Sequence, residues 1–375
     1  MSIRFEPLET FAPNAFGLGL VAPERRRGRG VVTNTSGRFE RERREVLDDG
    51  WGTLDTLAAF RTEVTIERPK TIIARNDSPD LNFDRSINPY RGCEHGCVYC
   101  FARPTHAYMG LSPGLDFETK LFAKPNAAEL LVKELAAKNY TPATIALGSN
   151  TDPYQPIERT NRITRSVLEV LERANHPVGI VTKSALVTRD IDILARMAAK
   201  GLAKVAMSIT TLDRGLARSM EPRAVTPDKR LDAMRQLAEA GIPVSVLVAP
   251  IIPAITDHEV ERILDASRAV GATEAGYVLL RLPLEVRDVF REWLVTYAPD
   301  KAHHALSLLQ SARGGKDYDA EFGTRMTGQG PYAWMIGRRF ELASERLGFA
   351  KRRLKLRTDL FTPPPSKASA QLSLF

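Results

Sequence analysis

Three thiols crowded into eight residues are the chemistry-bearing feature of this sequence. Cys93, Cys97 and Cys100 are the only cysteines in 375 residues, and they stand in the run Asn88-Pro-Tyr-Arg-Gly-Cys-Glu-His-Gly-Cys-Val-Tyr-Cys100. An odd, clustered set reads as metal-binding rather than as a disulfide framework. Iron–sulfur clusters take cysteine thiolates, usually four. The C-x₃-C-x₂-C spacing supplies three and the chain has no other, so a cubane here keeps one iron without a protein ligand. Gly92 and Gly96 let the backbone wrap closely around such a group. A Cys₃His zinc site using His95 or His106 is the alternative, although this spacing is uncommon for zinc.

Such groups have to be held in place, and the hydrophobic pattern supplies the frame. From about residue 82, short apolar runs alternate with longer amphipathic segments. Strands are predicted at Leu81–Ile87, Thr144–Leu147, Val178–Val181, Val205–Ile209, Val244–Val248 and Gly276–Leu280. Helices are predicted at Ala127–Ala137, Arg162–Ala174, Asp190–Ala199, Asp228–Ala240, Glu259–Val270 and Val286–Trp293. Gly201 and Gly241 follow two of these helices, where a left-handed stop is expected. This alternation predicts right-handed βαβ units and a parallel sheet. Six units make an α/β fold of the partial (β/α)6 TIM type. Reactive groups then belong at the C-terminal ends of the strands. The loops there hold Cys93–Cys100, Asn150–Asp152, Lys183, Thr210–Thr211, Pro250–Pro253 and Arg281–Pro283. Four segments are expected: a basic, partly disordered extension over 1–75, the barrel over 76–300, a helical basic segment over 301–358 and a flexible tail over 359–375. Glu24 to Gly37 shows little periodicity, and order is not expected there.

The cysteine run, with Tyr99 as the aromatic before the last thiol, resembles the signature of radical S-adenosylmethionine (radical SAM) enzymes. Further segments are Gly148-Ser-Asn-Thr-Asp152-Pro-Tyr-Gln-Pro-Ile-Glu158, Thr182-Lys183-Ser184, Ser208-Ile-Thr210-Thr and Ala249-Pro-Ile-Ile-Pro253. Together these resemble the spore photoproduct lyase-like group, also labelled DNA repair photolyase-like. Within it the likeness is to a branch with a Gly-Lys-x-Tyr-Asp-x-x-Phe-Gly stretch, here Gly315 to Gly323, and it extends over about residues 80–340. The resemblance implies an enzyme with one 4Fe-4S cluster on Cys93, Cys97 and Cys100, whose open iron chelates S-adenosyl-L-methionine. An electron from an external donor then yields a 5′-deoxyadenosyl radical that abstracts a substrate hydrogen. It further implies Asn150 and Asp152 at the methionine end of the cofactor, Lys183 and Ser208 at its ribose or carboxylate, and Tyr99 and Ile251 beside adenine. Spore photoproduct lyase returns a hydrogen atom from a further cysteine that this chain does not have. Tyr277, Tyr318 and Tyr332 are the candidate hydrogen donors in its place.

Composition bounds the setting. Hydrophobic residues at 43% with 26% charged fit a soluble protein that buries a core. No run approaches the ~20 apolar residues of a membrane span, and MSIRFEPLET lacks the layout of a secretory signal, so a cytoplasmic enzyme with no membrane partner is expected. The formal charge is +8. Residues 25–44 and 338–357 each carry a net +6, leaving the remainder mildly acidic, so polyanion affinity is expected in the flanks. The last residues, Gln371-Leu-Ser-Leu-Phe375, resemble the pentapeptide by which bacterial proteins dock on the DNA sliding clamp, after a Pro/Ser/Ala linker that lets it reach. The favoured reading is a radical enzyme acting on a nucleic-acid base or lesion, in DNA by preference. RNA or a small molecule is the alternative substrate, and a non-enzymatic nucleic-acid-binding protein with a metal cluster the second alternative.

Overall fold

The computed structural model describes residues 21, 25–40 and 59–365. The basic run at Arg41–Arg44 and the pentapeptide Gln371–Phe375 lie outside the described residues. Ten strands are present among them: β1 (Glu63–Ile66), β2 (Ile73–Arg75), β3 (Arg85–Ile87), β4 (Tyr90–Arg91), β5 (Lys120–Ala123), β6 (Ile145–Leu147), β7 (Val178–Thr182), β8 (Ala203–Ile209), β9 (Val244–Ile251) and β10 (Glu274–Leu279). Seven form one sheet in the order β10-β9-β8-β7-β6-β3-β2. Every pairing from β3 to β10 is parallel, and β2 adds an antiparallel edge. The six parallel strands and their intervening helices are the partial (β/α)6 barrel that the alternation predicts. A three-stranded sheet, β1-β5-β4, sits beside the cysteine loop.

The pleat explains the sequence pattern. In β8, Ala203, Val205, Met207 and Ile209 are wholly buried under the helices, while Lys204 and Ala206 on the other face are half-buried. Register extends this division across the sheet: Ser208 aligns with Leu247 and Gly276, and Ile209 with Val248 and Tyr277. The inner face carries small side chains, among them Ala146, Gly179, Ala206, Ser245 and Gly276. The helix Ile163–Arg173 buries Ile163, Val167, Leu168, Val170 and Leu171 against the sheet, each worth roughly 1.5–3 kcal/mol. Gly201 and Gly241 take φ of +72° and +75° and end their helices as expected.

Three expectations need correction. The first strand begins at Arg85 rather than Leu81, because Asn76 accepts from Ser78 and donates to the Phe83 carbonyl, bending the chain back into the antiparallel β2. Within the stretch expected to lack order, Arg29 to Thr33 are buried. The partners that order them lie far along the chain, at Glu118 and Glu292. The basic C-terminal segment is helical at Pro299–Ser311 and Gly330–Arg346 but not beyond. From Phe349 the chain becomes a strap across the N-terminal ends of the strands. Ala350 N–H donates to the Thr273 carbonyl, Leu354 N–H to Glu274, Arg357 N–H to the Gly201 carbonyl and Thr362 N–H to the Ala174 carbonyl. Lys204 Nζ donates to the Leu354 carbonyl at 2.8 Å, and Phe361 packs on Tyr140 and His176. No helix among the described residues is long and apolar enough to cross a membrane.

Candidate metal centre

The cysteine loop leaves the C-terminal end of β3 through β4 and is shaped by two glycines. Gly92 and Gly96 have φ of +72° and +68°, where a side chain is strained. Space forbids one as well. A Cβ on Gly92 would stand 2.8 Å from the Phe117 carbonyl, and one on Gly96 would stand 2.8 Å from Glu118 Oε2. Glu118 is wholly buried and accepts from Arg103 at 2.6 Å and from the backbone N–H groups of Gly30 and Val31 at 2.9 and 3.3 Å. Arg103 also donates to the Cys97 carbonyl at 2.9 Å and to Pro113 and Gly114. On the other flank Gln155 accepts from the Glu94 N–H and donates to the Gly92 carbonyl. The loop is thus clamped from both sides by the protein's own side chains.

Cys93 and Cys97 are buried and Cys100 half-buried. Burial pushes all three thiols up, so without a cation they stay neutral. Lys183 acts against that rise at Cys97, and Arg103 at Cys100, the sign of charge that bound thiolates need. No three His, Cys, Asp or Glu groups among the described residues are placed to share one ion. Three thiols in one loop are the donors a cubane takes, one to each iron. Each histidine of the zinc alternative has one ring nitrogen engaged within the protein, and His106 Nδ1 is buried without a partner among the described residues. His95 faces Asp152 at 3.4 Å, and His106 Nε2 bonds the Lys120 carbonyl at 2.9 Å. Burial pushes His106 down to about 4.

Beside the loop, Tyr99, Lys183 and Ser208 form one group. Lys183 Nζ lies 5.6 Å from the Tyr99 ring centre and donates to Ser208 Oγ at 2.9 Å; Ser208 donates to the Ala249 carbonyl at 2.9 Å. The Tyr99 hydroxyl bonds Thr210 and buried Glu221, and Glu221 also holds Arg230. Ile251, wholly buried, closes β9. Both oxygens of Asp152 are engaged by Thr182 Oγ1, the Tyr154 and Lys183 N–H groups and His95. Burial alone would raise this carboxyl, but His95 and the N–H and hydroxyl donors hold it down at about 2. Asp152 therefore joins the ends of β6 and β7 to the cysteine loop. Asn150 occupies the same loop, its N–H donating to Asn88 Oδ1 at 3.0 Å.

The tyrosines separate. Tyr277 shares the helix-facing row of Ile209 and Val248, opposite Ser208, and packs on Phe340 at 4.8 Å. Tyr332 donates to Asp257 at 2.7 Å from the helix outside β10. Tyr318 alone of the three is joined to the cysteine loop, through Arg281, whose guanidinium lies against Phe101. Sequence reasoning missed Glu118, Arg103, Gly30 and Glu221. Their partners are up to 122 residues away, and no local periodicity reports such pairs. Gln155 lies within the Gly148–Glu158 segment, where a polar side chain next to the Asp152 turn is the legible signal.

Known proteins resemble this chain in sequence and in fold. The model for the Radical SAM superfamily matches residues 87–266. An uncharacterized protein of Mycobacterium bovis is 37% identical over 222 residues, 59% of this chain and 65% of the relative. The chain thus spans about two thirds, and slightly less, of that relative's length. A protein of Pseudomonas phage M6 named radical SAM Nalpha-GlyT isomerase is 26% identical over 199 residues, 50% of this chain and 39% of the relative. Among solved structures, a spore photoproduct lyase variant with bound AdoMet and dinucleoside spore photoproduct is similar at TM-score 0.54 and 17% identity. The likeness covers 76% of this chain and 80% of that one, and it bears on the fold.

Proposed function

We propose that this chain, whose residues 87–266 match the model for the Radical SAM superfamily, is a one-cluster radical SAM enzyme acting on a nucleic-acid base, in DNA by preference. One observation carries the chemistry: all three cysteines of the chain stand in one clamped loop at the C-terminal end of a six-stranded parallel barrel. When bound, a 4Fe-4S cluster and S-adenosylmethionine supply one-electron cleavage to a hydrogen-abstracting 5′-deoxyadenosyl radical. The chain's own residues bind, orient and shield. Cys93, Cys97 and Cys100 would each hold one iron. The Lys183 ammonium, fixed by Ser208, offers a cation to a carboxylate. Tyr99 and Ile251 offer apolar walls, with the Tyr99 hydroxyl tied back to Thr210 and Glu221. Small residues along the inner face leave room for a substrate, and the buried loop keeps water away.

The substrate reading draws support from the fold likeness to a lyase holding a dinucleoside photoproduct and from the basic flanks. A base would have to leave its stack to reach the site. The Gln371–Phe375 pentapeptide is read as a clamp-docking peptide, and an external protein as the electron donor. Anaerobic reconstitution tests the chemistry. The expected result is bound iron and sulfide, visible absorbance, and dithionite-dependent release of 5′-deoxyadenosine, all lost in Cys97→Ala. Stoichiometric zinc with no such release would refute it. Pull-down with sliding clamp should lose signal when Gln371–Phe375 is removed.

A further inference from the structure

Arg281, two residues past β10, is unused in that reading. Its guanidinium is held between two rings, 5.5 Å from the centre of Phe101 and 5.8 Å from that of Tyr318. Phe101 directly follows Cys100. Nη2 donates to the Tyr318 hydroxyl at 3.2 Å, Nη1 faces Met326 Sδ at 3.4 Å, and Nε is buried without a partner. Among the described residues no carboxylate pairs with Arg281, whereas Arg291 and Arg325 nearby have Asp317 and Asp80 at 2.7 and 2.6 Å. Behind it, buried Arg313 donates only to the carbonyls of Leu279, Leu280, Thr324 and Arg325. Burial, with Arg281 adding to it, pushes Arg313 down to about 10. Asp319 acts on Arg313 from nearby, but no carboxylate among the described residues is bonded to either guanidinium, and the pair leaves a positive field that favours an anion; planar Arg forks match phosphate.

The surroundings narrow the anion. Phe101 is 49% and Phe322 54% exposed, and Arg325 lies 4.6 Å from the Phe322 ring. Exposed rings interleaved with guanidiniums are what unpaired bases stack on. The Gly315–Gly323 stretch that carries Tyr318 and Phe322 is pinned rather than loose. Asp317 takes Arg291 and Gln310, and the Gly323 N–H donates to Asp80 at 2.7 Å.

We propose that Arg281 is the phosphate anchor for a nucleic-acid strand, and that Phe101 and Phe322 stack unpaired bases on either side of it. This rests on the nucleic-acid reading above. The test uses the full chain with its cluster assembled anaerobically, a fluorescein-labelled single-stranded oligonucleotide and the matching duplex, with anisotropy followed over a salt series. The single strand should bind more tightly than the duplex. Arg281→Ala should weaken it about tenfold and reduce the slope of log K against log salt by about one. Arg281→Lys should keep the slope yet lose affinity. Phe322→Ala, at an exposed position, should weaken binding about tenfold with the slope unchanged. Iron content and melting temperature check that each variant folds. Unchanged affinity and slope in Arg281→Ala, or unchanged affinity in Phe322→Ala, would overturn the anchor while leaving the nucleic-acid reading standing. A parent chain that releases 5′-deoxyadenosine but binds neither oligonucleotide would overturn both.

Discussion

Glu118 and Gly30 show how much of the cysteine loop depends on residues far from it. Gly30 lies so close to the loop that a Cβ would collide with the Gly96 carbonyl oxygen. Gly30→Ala should therefore displace the N-terminal segment from the loop. A loss of about 1–3 kcal/mol in stability and faster release of iron under chelator are expected, by denaturation and iron assay. Lys183→Met tests the other side of the site. Losing a charge-assisted bond worth about 1.5–3 kcal/mol should raise KM for S-adenosylmethionine at least tenfold in a 5′-deoxyadenosine assay, with iron content retained. At this scale the sequence is legible where chemistry is dense, at Cys93, Cys97, Cys100 and the glycines beside them. Glu118 was not legible, because an acid's buried partners 15 and 88 residues away leave no local pattern.

The N-terminal segment meets the helix Val286–Tyr297 through Val31, which shares its buried cluster, through Arg38 paired with Glu285 at its start, and through Thr33 Oγ1, which donates to Glu292 at 2.8 Å. Burial pushes the Glu292 carboxyl up to about 7 from an ordinary 4.5. A group raised in this way favours the folded state fully below about 4.5 and loses that contribution as pH climbs through 7. About 3 kcal/mol is at stake. Glu292→Gln should melt above the parent at pH 8 and match it near pH 4.5, by calorimetry across pH. Elements with their own hydrophobic period, such as β7 to β10 and the helices between them, were legible. So were the stops at Gly201 and Gly241. β2 and the Phe349–Thr362 strap were not, since the strap's hydrogen bonds go to residues far along the chain and neither segment carries a repeating apolar face.

The whole molecule is a barrel with two different ends. One carries the cysteines, Lys183 and Arg281, and the other is crossed by the strap, which buries Phe349 and Leu356. A chain ending at Gly348 should lose those contacts and melt about 5–10 °C lower, while its cysteine loop, remote from the strap, still takes up iron. The strap also fixes where the last residues begin. Thr362 is pinned to Ala174, beneath the sheet, and Pro363 to Pro365 leave from there. Whatever grips the chain beyond Pro365 would hold it by its heel. The reactive pole then points away from the point of attachment, so that a partner held there leaves the cysteine end uncovered.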